Sequence, residues 1–312
     1  MPSAILVTGA AGFAGSHVLD LIADEGADVV AWHRPRGRPP RDPGRVRWDG
    51  VDLLDRSSVA RAVERARPAA VYHCAGAAHV GRAWDNTEST FAVNVRGTHH
   101  LFEGLRAAQL AIPVLIPSSA MIYQPAGEPL TEDHPLVPPN PYGVSKLAQE
   151  MLAMHAAVDG LSIRVARAFN HVGPRQDPSF AASGFARQIA EIEAGRRDAE
   201  IAVGNLQARR EVTDVRDTVR AYRLLLDRGQ SSRPYNVCSG QAVEIGEVLD
   251  RLVARARVPV RVRVDPARFR PNDNPVLVGD PRRIRDEIGW TPAIPLEQTL
   301  DDVLGYWRSQ MS

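Results

Sequence analysis

Short β-branched runs alternate with amphipathic stretches over the first 170 residues. Strands are predicted at Ala4–Thr8, Asp28–Trp32, Val46–Trp48, Ala69–Cys74, Val114–Ser118 and Ser162–Ala166. Apolar residues at helical spacing fill the gaps at Ala14–Ala23, Ser58–Ala66, Phe91–Ala108 and Val144–Val158. Strands that are apolar throughout need cover on both faces, so the repeat predicts an α/β fold with a doubly wound parallel sheet. After Asn170 the pattern loosens into loops such as "NHVGPRQDPSF", short helices at Ala186–Ala194 and Ile245–Ala256, and an alternating strand at Val260–Val264. This reads as a smaller C-terminal domain interleaved with the first. The Pro/Arg-rich stretch His33–Arg45 is a loop, because strands resume on both sides.

Composition narrows the class. With 312 residues, 44% of them hydrophobic and 24% charged, the chain has the size for one large domain or two unequal ones. A net charge of +1 gives no electrostatic footprint for nucleic acid or an anionic membrane. No apolar run approaches the roughly 18 residues of a membrane helix, and "MPSAILVTGA" shows no charged n-region or cleavage site. Cys74 and Cys238 have neither CxxC nor metal spacing, so a reducing cytoplasm without disulfides or metal is expected. His79, His99 and His100 also lack metal spacing and are expected in loops or on helix surfaces.

The chemistry begins in "ILVTGAAGFAGSHVLDLIA". Gly9, Gly12 and Gly15 lie between the first strand and an amphipathic helix. Glycine permits a tight turn and close approach of backbone to a pyrophosphate, which the helix N-terminus then stabilises. Where the second strand ends, an NAD-binding chain usually carries Asp or Glu for the ribose hydroxyls. Here "VVAWHRPRGR" supplies His33, then Arg34, Arg36 and Arg38. Guanidinium groups suit a 2′-phosphate, so NADP(H) is favoured, with NAD(H) the alternative. Arg34 is the candidate contact, and Arg36 and Arg38 fit a solvated loop.

The 38 basic residues include a single lysine, Lys146, in "NPYGVSKLAQE". It stands four residues after Tyr142, so on a helix the two share a face. A phenol with an ordinary pKa of about 10 is a poor acid–base group at neutral pH, and a nearby ammonium lowers that value. The planar fork of arginine does not reproduce a compact ammonium that faces a phenol and a ribose together. That accounts for a lysine in a chain otherwise given to arginine.

These motifs together resemble an extended short-chain dehydrogenase/reductase of the nucleotide-sugar type, over nearly the whole chain. The resemblance implies a Rossmann domain at 1–169 and a sugar-nucleotide domain at 170–312, with about 205–240 returning to the first. It also implies a homodimer joined through the YxxxK helix. Phe13 and Ala14 join the glycines at the cofactor, Asp52 and Leu53 cap the adenine, and Ala75 and Gly76 lie beneath it. In "VLIPSSAMIY", Ser119 matches the position that hydrogen-bonds the reacting oxygen, with Ser118 as the alternative. Ser119, Tyr142 and Lys146 are thus the expected catalytic set.

"RAFNHVGPRQ", "VGNLQARREVTDVRD", "NVCSG" and "RPNDNPVLVGDPRRIRDEIGW" resemble the GDP-mannose branch, which holds a 4,6-dehydratase and a GDP-4-keto-6-deoxy-mannose reductase. On that resemblance Arg210 and Arg270 suit a diphosphate, Asp273 a ribose and Asn170 the hexose. The arginine pairs at Arg196–Arg197 and Arg282–Arg283 read as surface ion pairs. Dehydratases carry a Glu two residues before the tyrosine of "AMIY" to remove the C5 proton, and this chain has Met121 there, after Ala120. A thioether transfers no proton. "REVTDVRD" is closer to the reductase's RDFTDVRD, with Val212 for the aromatic residue. The implied activity is NADPH-dependent reduction of the C4 ketone of a GDP-4-keto-6-deoxy-D-mannose. The alternatives are a 4-epimerase with bound NAD, a dehydratase, a GDP-fucose synthase type of epimerase/reductase, or a non-catalytic NADP-binding regulator. Gln124 for glycine after "IY" and "RPND" for RPSE depart from the pattern.

Overall fold

The computed structural model describes residues 4–37, 46–269 and 274–311. Its centre is a seven-stranded sheet in which every neighbouring pair is parallel. In chain order come β1 (Ile5–Thr8), β2 (Val29–His33), β3 (Val46–Gly50), β4 (Ala70–His73), β5 (Pro113–Ser119) and β6 (Ser162–Ala168). Short strands follow at β7 (His171–Val172), β8 (Glu200–Val203), β9 (Arg209–Glu211) and β10 (Thr213–Asp214), and β11 (Pro234–Val237) completes the sheet. The order β11-β6-β5-β4-β1-β2-β3 reverses direction between β1 and β4. In such Rossmann-type sheets the crevice at that reversal, outside the carboxyl ends of the strands, takes the ligand.

Two apolar layers explain why the strands read as continuous hydrophobic runs. On one face α1 (Phe13–Asp24), α8 (Val215–Arg228) and α10 (Arg282–Ile288) bury Val18, Val219 and Ile284 against Val7 and Ala31. On the other, α2 (Arg56–Ala66), α5 (Gly97–Ala107) and α6 (Pro141–Val158) close over Leu6, Val30 and Val114. A third cluster packs α7 (Ala181–Glu193), α9 (Ile245–Val253) and α11 (Leu296–Ser309) around β8. Two further short strands, β12 (Ala242–Glu244) and β14 (Val276–Leu277), flank β9, and β13 (Arg261–Val264) runs parallel to β8.

Several features differ from the sequence pattern, among them the start of α7 at Ala181 in place of Ala186. α6 begins at Pro141, not Val144, because Asn140 caps it by accepting from Gly143 N at 2.8 Å and proline suits the first helical turn. The stretch expected as one helix over Phe91–Ala108 is broken by a π-helical segment at Ala92–Arg96 after the short helix α4 (Thr87–Phe91); α3 (Val80–Asp85) precedes it. His100 is buried rather than on the surface, its Nδ1 donating to Leu53 O at 2.8 Å, because α5 turns that side onto the loop after β3. Among the described residues no helix is long and apolar enough to cross a membrane, and no group of His, Cys, Asp and Glu could hold a metal.

Candidate active site

The turn from β1 into α1 is built on glycines for want of room. Gly9 has φ +64°, and a Cβ there would lie 2.6 Å from Ala75 Cα. A Cβ on Gly15 would lie 2.2 Å from Gly9 O. Gly12 caps α1 without bringing a side-chain acceptor, which suits that helix end to an anion. Phe13, the first residue of α1, stacks on His171 with centroids 5.6 Å apart, and Ala14 follows it. Across the turn, Ala75 N donates to Thr8 Oγ1 at 3.2 Å, and Gly76 leaves a Cβ only 3.0 Å from Asn94 Oδ1.

At the end of β2, Gly37 N donates to Arg34 O at 2.7 Å and closes a turn that leaves Arg34 and Arg36 exposed. His33 Nδ1 donates to the same carbonyl at 2.7 Å. Arg38 lies outside the described residues. Asp52 is exposed after β3, its Oδ1 accepting from Leu54 N at 2.9 Å, while Leu53 packs on Gly97. The residues present therefore fit a dinucleotide: a tight glycine turn that leaves the N-terminus of α1 without a side-chain cap, and basic side chains where β2 ends.

Ser119 closes β5 and is paired in register with Ala168. Its Oγ accepts from Met121 N at 3.1 Å and faces the Tyr142 phenol, whose ionised form it favours. Ser118 points elsewhere and donates to Glu150 Oε2 at 2.5 Å. The structure thus brings Ser119, not Ser118, to the tyrosine. α6 comes this close because Gly143 lacks a side chain: a Cβ there would lie 2.2 Å from Met121 O.

Lys146 sits one turn along α6, buried, with Nζ donating to Pro117 O and to Gln149 Oε1, both at 2.5 Å. Burial pushes its ammonium down to about 8, opposed chiefly by the charge of Glu150. The phenol of Tyr142 is pushed up by burial, and the Ser119 hydrogen bond is what opposes the shift. The expected lowering of Tyr142 by Lys146 is not found, because the ammonium is turned towards Pro117 and Gln149.

Two contacts escaped the sequence reading. Asn94, in the π-helical segment, accepts from Ala77 N at 2.7 Å and donates to Ser145 Oγ at 2.9 Å, tying the small-residue loop to α6. An uncharged polar residue between two valines in "FAVNVRG" was the available signal. Gln149 on Lys146 gave none.

Beside Asn170, which with Phe169 joins β6 to β7, opens a cleft of about 720 Å³ whose lining includes Ser179, Arg187, Gln188, Asn205 and Arg210. Arg210 is buried, its Nη1 donating to Arg209 O at 2.9 Å. Arg270 and Asp273 lie outside the described residues. Arg197 and Arg283 are ion-paired with Glu191 and Asp133. Met121 Sδ accepts weakly from Asn140 Nδ2 at 3.7 Å. Nearby buried carboxylates are committed: Glu150 to Arg167 and Ser118, Glu132 to Asn236 N. Cys238 is buried beside Gly279, and burial pushes Cys74 up to about 12.

A family model described as GDP-mannose 4,6 dehydratase matches residues 6–303. The chain is 35% identical to the GDP-6-deoxy-D-mannose reductase of Pseudomonas aeruginosa, over all of this chain and 99% of that one. The structure of RMD from Pseudomonas aeruginosa complexed with NADPH superposes with a TM-score of 0.87 at 32% identity, covering 99% of each chain. The UDP-glucose 4-epimerase of Thermus thermophilus in complex with NAD gives 0.86 at 28% identity, covering 97% of this chain and 98% of that one.

Proposed function

The chain belongs to the GDP-mannose 4,6-dehydratase family of nucleotide-sugar enzymes, and from that premise we propose that it reduces the C4 ketone of GDP-4-keto-6-deoxy-D-mannose. The product is GDP-D-rhamnose or its C4 epimer, made by a cytoplasmic homodimer with NADPH. One observation carries the choice of reaction. Ser119 and Tyr142 come together at the carboxyl end of β5, and Met121 brings a thioether where a dehydratase brings its Glu. A ketone reduction needs no such base.

Gly9, Gly12, Phe13, Ala14 and Gly15 would hold the pyrophosphate, Arg34 the 2′-phosphate, Asp52 and Leu53 the adenine, and Ala75 and Gly76 the face beneath. When bound, NADPH supplies the hydride to C4. Ser119 Oγ hydrogen-bonds the ketone oxygen and Tyr142 gives its proton to that oxygen as charge develops. Lys146 offers its third N–H to the ribose. Asn170, Arg210, Arg270 and Asp273 would hold the nucleotide sugar. The resemblance to NADPH-bound RMD supports this cofactor. The likeness to an NAD-bound 4-epimerase supports a second reading, in which the same three residues serve oxidation and re-reduction at C4.

The test is nicotinamide absorbance on mixing protein, NADPH and enzymatically generated GDP-4-keto-6-deoxy-mannose, with NADH in parallel. Stoichiometric oxidation, faster with NADPH, is expected. No oxidation, with interconversion of C4 epimers on tightly held NAD, would replace the reductase by the epimerase.

A further inference from the structure

The hydrogen bonds around Lys146 have directions that can be counted. The Thr98 hydroxyl donates to Asn94 O at 2.6 Å, so its oxygen can only accept from its two other neighbours. Those are Gln149 Nε2 at 2.8 Å and His73 Nε2 at 2.9 Å. His73 therefore carries its proton on Nε2, and Nδ1 accepts from Thr8 Oγ1 at 2.8 Å. Burial pushes His73 down to about 3, so the imidazole is neutral at physiological pH. With its amide nitrogen committed to Thr98, Gln149 can present only Oε1 to the lysine.

The result is an ammonium held by two neutral carbonyls and touched by no carboxylate. The charged or ionisable groups facing it are few. Glu150, on the same helix, is neutralised by Arg167 at 2.6 Å, Cys74 is a thiol under the cofactor loop, and His73 is uncharged. Tyr142 completes the set, one turn earlier on α6. An ammonium has three N–H groups. Two are spent on Pro117 O and Gln149 Oε1, and one is left to point at a ligand.

We propose that Gln149, oriented by the Thr98–His73–Thr8 chain, is the positioning residue of the catalytic lysine. Its neutral acceptor fixes where the free N–H of Lys146 points and leaves the charge uncompensated. This deepens the reading of Tyr142 and Lys146 as the reacting pair, and its first readout, the titration of Lys146, needs neither cofactor nor sugar.

Lys146 is the chain's only lysine, so lysine labelled with ¹³C at Cε gives one resonance whose pH titration reports this ammonium alone. The wild-type midpoint should fall near about 8. Gln149→Glu places a carboxylate on Nζ and should raise the midpoint by about one unit or more. Gln149→Leu removes an acceptor and should lower it. Opposite shifts from one position are not the mark of a residue that merely fills space. The basic limb of the pH–rate profile for any ketone the enzyme reduces should move with the midpoint. Should either variant fail to fold, Thr98→Val frees the amide to turn and should shift the midpoint in the direction of Gln149→Leu, by less. Coincident midpoints in the folded variants overturn the proposal. A protein that shows the shifts yet oxidises no NADPH overturns the assigned reaction and leaves the role of Gln149 standing.

Discussion

Glu150→Gln tests whether the ion pair beneath the candidate site is structural, positioning or both. Glu150 and Arg167 are each less than a twentieth exposed. The carboxylate accepts from Arg167 Nη2 at 2.6 Å, from Nε at 3.1 Å and from Ser118 Oγ at 2.5 Å. The guanidinium also donates to Tyr123 OH at 2.8 Å and Glu132 O at 2.7 Å, and lies 5.1 Å from the centre of the Tyr123 ring. Glutamine keeps the shape and most of the bonds but leaves a buried positive charge without a counter-charge beside it. Breaking such a pair costs about 3–5 kcal/mol, and the retained hydrogen bonds put the expected loss near about 3. Urea unfolding with an unchanged m-value measures it. Glu191→Gln, where Arg187 and Arg197 are largely solvated, is the control and should cost less than about 1 kcal/mol. Because Glu150 holds Ser118, the adjacent Ser119 should also move, and kcat should fall by about tenfold with little change in KM. A loss below about 1 kcal/mol would mean that Tyr123 and Glu132 alone satisfy Arg167. Lost stability with unchanged kcat would break the link to Ser119.

Tyr142→Phe should lower kcat by about 10²–10⁴-fold while NADPH affinity, read by nicotinamide fluorescence, stays within a few-fold; an active Phe variant refutes the proton-donor role. Arg34→Ala should weaken NADPH by about 10–100-fold and leave NADH unchanged, the worth of a charge-assisted hydrogen bond; equal losses would mean that Arg34 only shapes its turn. His17 is buried, donates to Pro174 O at 2.9 Å, and is pushed down to about 4 by burial. The unfolded chain takes up that proton near about 6.5, so stability should fall as pH drops from there through about 4, by up to about 3 kcal/mol. His17→Gln should flatten the slope in that window, although His73, shifted the same way, preserves part of it; an unaltered slope refutes the assignment. Val144, Met151 and Val158 stand exposed at seven-residue spacing on α6, so Met151→Arg should convert the proposed dimer to a monomer in light scattering.

What was legible in the sequence is what local physics dictates. Gly9 announces a positive φ, continuous apolar strands announce a covered sheet, and Tyr142 and Lys146 share a helix face by spacing alone. The parallel run of the sheet followed from the repeated βα unit. What was hidden depends on residues brought together by the fold. Thr8, His73, Thr98 and Gln149 are 65, 25 and 51 positions apart along their chain of hydrogen bonds, and no pattern links them. Asn94 was masked because apolar periodicity runs through a π-helical segment as it would through a regular helix. Ser119 was preferred to Ser118 on resemblance alone, and the physical reason came only when β5 placed their side chains on opposite sides.

The single lysine shows how a residue can be singled out for an incomplete reason. The sequence argument rested on a phenol whose pKa an ammonium would lower. In the structure the ammonium instead meets two single carbonyls, Pro117 O and Gln149 Oε1, each at 2.5 Å. A guanidinium spreads five donors over a rigid plane and keeps its charge at any ordinary pH. In so buried a place it would leave donors unsatisfied and could not approach neutrality as Lys146 does. Arginine is excluded at position 146 by the acceptors beneath the lysine at least as firmly as by the tyrosine beside it.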